Sequence, residues 1–320
     1  MGQRTFFGED VRLEQISELG DPLEKLNKHI DWGIFEKALE EIFSKEEKES
    51  GGRPPYEHIL LFKIAILQTL NNISDDKTEY LIKDRLSFQR FLGLSLDSKV
   101  PDAKTIWLFK EKLTKSGSSK RLFEKFNARL YELGLILQKG SIIDATIIEK
   151  PRKHKDSYDD GAGWTRKGSD IYYGYKNHVK ADKDSKLIIG FRSTGANAAD
   201  CKEGPKLIDK KDKEVFGDKA YGTDKTIEEI LKRNPSADIR IHKKGRRCHL
   251  LTEKEEKENA LNTPIRVRIE HIFGHMKQAM GGTFIRCKSL ARASTQIMLK
   301  NLAYNMQRSV FLRDKWVLAV

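Results

Sequence analysis

Ser141-Ile142-Ile143-Asp144-Ala145-Thr146-Ile147-Ile148 is the stretch from which the rest of the chain is read. Its β-branched residues predict a short strand. Asp144 lies in the middle of that strand, where strands are depleted in Asp and burying an unpaired carboxylate is costly. A charge kept in such a place suggests a use. Just before Gly140 the pattern is helical, and just after it strands and helices alternate, so the stretch also marks the change from an all-α part to an α/β part.

Working back from it, residues 21–136 are predicted to form a helical domain. Ile30, Ile34, Phe35, Ala38, Leu39 and Ile42 recur at helical spacing, and Ile59 to Leu70 is apolar almost throughout. Leu81 to Leu92 predicts a helix ending near Gly93, and Asp102 fits the N-cap of another from Lys104 to Leu113. A last helix spans Lys120 to Leu133. Lys104, Lys110 and Lys112 give this half a basic side. A helix-turn-helix-like grip on DNA fits it, although the connection over residues 93–103 is longer than the usual 3–4 residues. Residues 1–20 read as a polar arm with Phe6-Phe7 as a packing anchor, and residues 314–320 as a tail.

Working forward, residues 151–170 read as a polar loop, and Tyr173–Ala181 with Leu187–Ser193 as a hairpin turned at Asp182-Lys183-Asp184-Ser185. Helices are expected over Asp200–Asp209, Thr223–Arg233 and Ser294–Leu312. Val215-Phe216-Gly217-Asp218 reads as a strand ending on an aspartate, and Asp238–His242 as a further strand. Pro264 to Met280 reads as a helix, with Pro264 at its first position. Ile265, Ile269, Ile272, Phe273, Met276 and Met280 make an apolar stripe roughly 100° wide, and Arg266, Glu270 and Lys277 stack beside it. The second part, residues 137–313, is thus an α/β domain with a mixed sheet flanked by helices. In such sheets sites form at strand ends and on flanking helices, so Asp144, Asp218 and Glu270 are placed to converge.

Each carboxylate has a plain reading by itself. Asp144 fits a structural strand residue, Asp218 a turn former and Glu270 a surface charge. Glu149 and Asp200 are the nearest acidic alternatives, with Asp200 read as a helix cap. His178 and His242 have no metal-ligand spacing with another His or Cys. Cys201, Cys248 and Cys287 are far apart and suggest reduced thiols. With 33% charged and 38% hydrophobic residues and a net charge of +13 over 320 residues, the composition fits a folded chain with a polyanionic partner. No apolar run is long enough to span a membrane. The basic run Lys243, Lys244, Arg246 and Arg247 fits DNA-backbone contact or a solvated loop, and Trp164 fits stacking on an unpaired base or packing on the hairpin.

Taken together, several stretches resemble the bacterial insertion-sequence DDE transposases of family five. They are Ile143-Asp144-Ala145-Thr146, Gly217-Asp218-Lys219-Ala220-Tyr221-Gly222 and Arg266-x3-Glu270-x6-Lys277. Trp164-x2-Lys167-Gly168 and Tyr173-Gly174-Tyr175-Lys176-Asn177-His178 resemble the family's first hairpin. Gly52-Arg53-Pro54-Pro55-Tyr56, Leu86 to Leu94 and Val100 to Trp107 resemble its N-terminal domain. Thr263 departs from the family, which has Tyr three residues before the Arg. The resemblance implies an RNase H-like catalytic domain with an all-α DNA-binding domain. It implies an enzyme that binds terminal inverted repeats, exposes 3′-OH ends and joins them to target DNA. It also implies Asp144, Asp218 and Glu270 as catalytic residues holding two Mg²⁺ ions, with Mn²⁺ as a substitute, Asp144 being shared by both. Arg266 and Lys277 would hold DNA phosphates. Double-stranded DNA, a homodimer that brings two ends together, and a cytoplasmic, nucleoid-associated location follow from the same resemblance. A metal-dependent nuclease without strand transfer and a catalytically silent DNA-binding descendant are the alternatives.

Overall fold

The computed structural model describes residues 8–43, 56–151, 161–245, 250–282 and 284–317. The chain divides into two units, with boundaries between Lys125 and Phe126 and between Ser309 and Val310.

In the first unit, short polar side chains start the helices. These are α1 (Gly8–Glu18), α2 (Pro22–His29), α3 (Glu36–Phe43), α4 (His58–Asn71), α5 (Asp75–Asp84), α6 (Leu86–Leu92), α7 (Ala103–Lys115) and the beginning of α8 (Ser119–Glu132). Asp21, Ser74 and Asp102 each accept a backbone N–H from the first turn they precede, Asp102 from Thr105 at 2.7 Å. The helix expected from Leu81 is two helices, because Arg85 is extended between them (φ −111, ψ 112). The periodic run from Ile30 is likewise broken. Ile30 is extended, and Asp31 caps a 3-10 turn at Trp32–Phe35 before α3. Residues 8–18 are helical rather than a polar arm. Arg90 fixes α1 by donating to the Leu13 carbonyl at 3.1 Å and to Ser17 Oγ at 2.7 Å. Phe6, Phe7 and residues 51–55 lie outside the described residues. Phe35, Phe62, Phe91 and Trp32 meet in an aromatic core. Lys63 lies over the rings of Phe91 and Trp32, and burial pushes its amine down to about 8.

In the second unit, the expected strand is β1 (Ser141–Glu149). It pairs antiparallel along its whole length with a strand that is itself flanked by two others. These are β2 (Gly163–Lys167), β3 (Asp170–Asp182) and β4 (Ile188–Gly195), with β3 central among them. β2 falls within the expected polar loop; its residues are mostly charged or exposed, and the strand exists through its ladder to β3. On the other side of β1, β5 (Glu214–Gly217) runs parallel to it, and β6 (Asp238–Ile241) runs parallel to β5. The sheet order is β2-β3-β1-β5-β6, with β4 also on β3, which is the mixed sheet expected.

The helices of this unit are α9 (Asp200–Glu203), α10 (Asp224–Arg233), α11 (Glu253–Gln278) and α12 (Leu290–Val317), the last belonging here up to Ser309. α9 is shorter than expected because the chain tightens into a 3-10 turn at Gly204–Leu207, which contains Pro205. α11 starts eleven residues before Pro264, at a capping box formed by Thr252 and Glu255, so Pro264 lies inside the helix and not at its first position. Ile269, Ile272 and Met276 of the expected stripe are buried.

Side chains alternate across the sheet, so the two faces of β1 can be read off the register. Ile143 turns toward a core with Ile208, Val215, Tyr221, Ile230 and Ile241. Asp144, opposite Val179, shares the other face with Asn177, which bonds Asn301 of α12 at 2.8 Å.

Candidate active site

β1 and β5 pair only over Ser141–Ile143 and Val215–Gly217. The next residue on each strand is an aspartate, so Asp144 and Asp218 stand side by side where the two strands part. Each is fixed by its own backbone. Asp144 Oδ1 accepts the Ala145 N–H at 2.8 Å, and Asp218 Oδ1 accepts the Ala220 N–H at 2.7 Å as it caps the 3-10 turn Lys219–Tyr221. Among the described residues, no side chain donates to either oxygen of Asp144. Burial pushes the Asp144 carboxyl up to about 7. The charges of Asp218 and Asp200 push in the same direction, and the Ala145 N–H and Arg266 oppose them.

Glu270 is placed differently. It lies on α11, half exposed, and is paired with Arg266 one turn earlier at 2.9 Å. Arg266 is partly buried, and its charge reaches both Asp144 and His242. Lys277 is exposed two turns further along the same helix.

The other expected DNA contacts are scattered. Lys243 is ion-paired with Glu258 at 3.0 Å and Glu255 at 3.6 Å, and its backbone is bonded both ways to the Asn259 side chain. Its charge is thus used to tie the end of β6 to the start of α11. Lys244 is exposed. Arg246 and Arg247 lie outside the described residues. Trp164 on β2 is 54% exposed, its ring 4.8 Å from that of Tyr173.

Several residues given no role by their sequence spacing surround the aspartates. Asp200 does not cap a helix with its side chain; it is ion-paired with Lys176 at 3.0 Å. His178, fully buried, turns Nδ1 toward Asp200 Oδ1 at 3.7 Å. Thr194 donates its hydroxyl hydrogen to the Gly195 carbonyl, so at the 2.9 Å contact His178 Nε2 is the donor and Nδ1 is left with a lone pair and no partner. Burial pushes His178 down to about 4, against the pull of Asp200. His242 follows β6, and its Nε2 is buried without a partner; burial lowers it, Arg266 lowers it further, and Asp218 opposes both. Tyr221 is almost fully buried, and its hydroxyl also has no partner. Burial holds that phenol protonated, with Asp144, Asp200 and Asp218 adding to the effect in that order.

The donor set at the strand ends suits a hard divalent cation. Asp144 and Asp218 offer oxygen only, and a cation would relieve the crowding of negative charge that now favours a proton on Asp144. Among the described residues, no three His, Cys, Asp or Glu side chains are already gathered for a metal. Glu270 in particular is held by Arg266.

A mixed sheet carrying paired carboxylates where two parallel strands part defines a class of metal-dependent phosphoryl-transfer folds. Comparison with known proteins gives the family. Residues 137–306 match the family described as Transposase DDE domain, and residues 11–112 match the one described as Transposase domain (DUF772). The chain belongs to the DDE transposases, with an RNase H-like fold and the DNA cleavage and strand-transfer activity of that class, which works with divalent metal ions. Among solved structures it is similar to a piggyBac transposase seen in a cryo-EM synaptic complex with hairpin DNA. The identity is 12% and the TM-score 0.47, over 92% of this chain and 76% of that one. Among the described residues, no helix is long and apolar enough to cross a membrane.

Proposed function

We propose that this transposase belongs to insertion-sequence family five, binds the terminal inverted repeats of its element, cleaves their ends to expose 3′-OH groups and joins those ends to target DNA. The helical part, residues 21–136, is the DNA-binding domain in this reading, and residues 137–313 the catalytic one. The observation that carries it is the pair Asp144 and Asp218, held by backbone N–H groups where β1 and β5 part and without a cationic side chain in contact. Asp144, Asp218 and Glu270 are the residues that hold two Mg²⁺ ions, Asp144 in common. Bound there, the ions supply charge neutralisation at phosphorus and an activated oxygen nucleophile.

The chain's own groups supply the rest. Asp144 gives up its proton to become a ligand. Glu270 leaves Arg266 to join the two aspartates, and the freed guanidinium takes a DNA phosphate in its fork. Lys277 places a second positive charge along the same helix, and Lys244, Arg246 and Arg247 follow the backbone further out. Lys243 joins them only by giving up its glutamates. Trp164, exposed on β2, stacks on a base at the cut. Two ends must be processed together, which calls for a homodimer.

The test is incubation of the protein with labelled DNA carrying its element's ends, in Mg²⁺ or in EDTA, beside Asp218→Asn. Mg²⁺-dependent 3′-OH ends that join a second DNA and vanish in the variant support the reading. Cutting without joining would indicate a nuclease, and salt-sensitive binding with no cutting a silent DNA-binding protein.

A further inference from the structure

Tyr221 follows Asp218 by three residues, and its ring is built in firmly. It lies in the core with Ile143, Val215 and Ile241. Two glycines make room for it. A Cβ on Gly204 would fall 2.3 Å from Tyr221 Cε1, and one on Gly217 would fall 3.3 Å from Cδ2. A phenylalanine would fill this slot equally well. What the tyrosine adds is a hydroxyl, buried and without a partner. An unmade hydrogen bond of this kind costs about 1–3 kcal/mol, so the hydroxyl is a burden to the fold unless something receives it.

The surroundings narrow the choice of acceptor. Asp144, Asp200 and Asp218 are the charges that act on the phenol, Asp144 most strongly. Asp200 is already matched by Lys176 at 3.0 Å. Asp218 has turned one oxygen to the Ala220 N–H, as it must to cap the turn that carries Tyr221. Asp144 has one oxygen on the Ala145 N–H and no side-chain donor among the described residues.

We propose that Tyr221 is a positioning residue of the active site, whose hydroxyl donates to the Asp144 carboxylate and fixes its orientation when a divalent cation is bound. The inference rests on the reading of Asp144 and Asp218 as cation ligands. It explains why a donor is kept where the resting fold leaves it unused, since its acceptor becomes a committed carboxylate only in the loaded site. The hydroxyl touches neither DNA nor the cation in this role; it acts through Asp144.

The experiment compares unfolding midpoints of wild type, Tyr221→Phe and Asp144→Asn in EDTA and across a Mg²⁺ titration. Wild type gains stability with Mg²⁺, because a ligand bound only by the folded state raises the midpoint. Tyr221→Phe unfolds in EDTA at the wild-type temperature or slightly above it, since no hydrogen bond is lost. It needs about fivefold to tenfold more Mg²⁺ for half of the gain. Asp144→Asn shows no gain. A midpoint of Tyr221→Phe lowered equally in EDTA and Mg²⁺ would make the hydroxyl merely structural and overturn the inference. A full wild-type response in Tyr221→Phe, with the response lost in Asp144→Asn, would overturn this inference alone. No response in wild type, or an undiminished one in Asp144→Asn, would remove the cation site itself and this inference with it.

Discussion

The two ends of β1 hold buried polar groups in opposite states. At the Ser141 end the polar groups are closed off. Lys180 Nζ lies 2.8 Å from Asp209 and 3.0 Å from Asp212, Ser141 donates to Asp212 at 2.5 Å, and Asp182 accepts the backbone N–H groups of Gln138 and Ser185. At the Asp144 end, the carboxylates crowd one another, and Tyr221, His178 and His242 each leave a polar atom without a partner. Both ends lie on one strand with the same neighbour, β3. The difference is therefore in what has been provided for them. Satisfied buried polar groups serve the fold, whereas buried groups left unsatisfied are waiting for something the chain does not supply.

The contrast is most exposed to test through activity. Asp144→Asn should lower strand cleavage by at least about 10³-fold, roughly 4 kcal/mol of transition-state stabilisation, while the protein remains folded. A variant that still cuts within tenfold of wild type would remove the distinction between the ends. At the other end, Lys180→Met should cost about 3 kcal/mol in chemical denaturation by leaving Asp212 buried and unmatched, with cleavage by the folded fraction unchanged.

Acid titration separates the ends by sign. Asp144, pushed up to about 7, binds a proton more tightly folded than unfolded. Its contribution is complete below the ordinary carboxylate range and is lost as pH rises toward 7. In EDTA, stability should therefore fall by about 2 kcal/mol between pH 4 and pH 7, and Asp144→Asn should remove that slope. At the closed end, burial works against ionising Asp209, but the Lys180 hydrogen bond and charge overcome it and hold its carboxyl below the usual range. Its contribution is present above that range and lost as pH drops through it. A wild-type profile that rises from pH 4 to 7 would contradict the assignment of Asp144. The smallest effect expected is for Ser141→Ala, about 1 kcal/mol, from the bond to Asp212.

The sequence announces these two ends unequally. β1 is legible because β-branched residues cluster there, and Asp144 is conspicuous within it. Asp102, Ser74 and Thr223 are legible as caps because an N-cap is a local bond between near neighbours. The early start of α11 had its signal too, in Thr252 and Glu255, but the residues after it carry no apolar stripe to support a helix. β2 had no such signal, since its residues are polar and only β3 makes them a strand. The pairing of Asp200 with Lys176 and His178 joins α9 to β3, and no periodicity encodes a contact of that range. Glu270 was legible as a helix-face charge beside Arg266, and that pair is present.

The short ladder between β1 and β5 also bears on how the chain finds its alignment. Isoleucines at 142, 143, 147 and 148 flank the aspartate and would tolerate sliding along β3, since apolar residues occur on both faces. A slip of one position exchanges the faces. Asp144 would then point among Val215, Ile208 and Ile230, and Ile143 would take its place at the gap. A carboxylate in that core is prohibitive, so Asp144 acts as a register pin for the central strand. Any replacement that removes its charge releases the pin as well as the chemistry. Misaligned or slowly folding molecules should therefore be sought first among variants at this position.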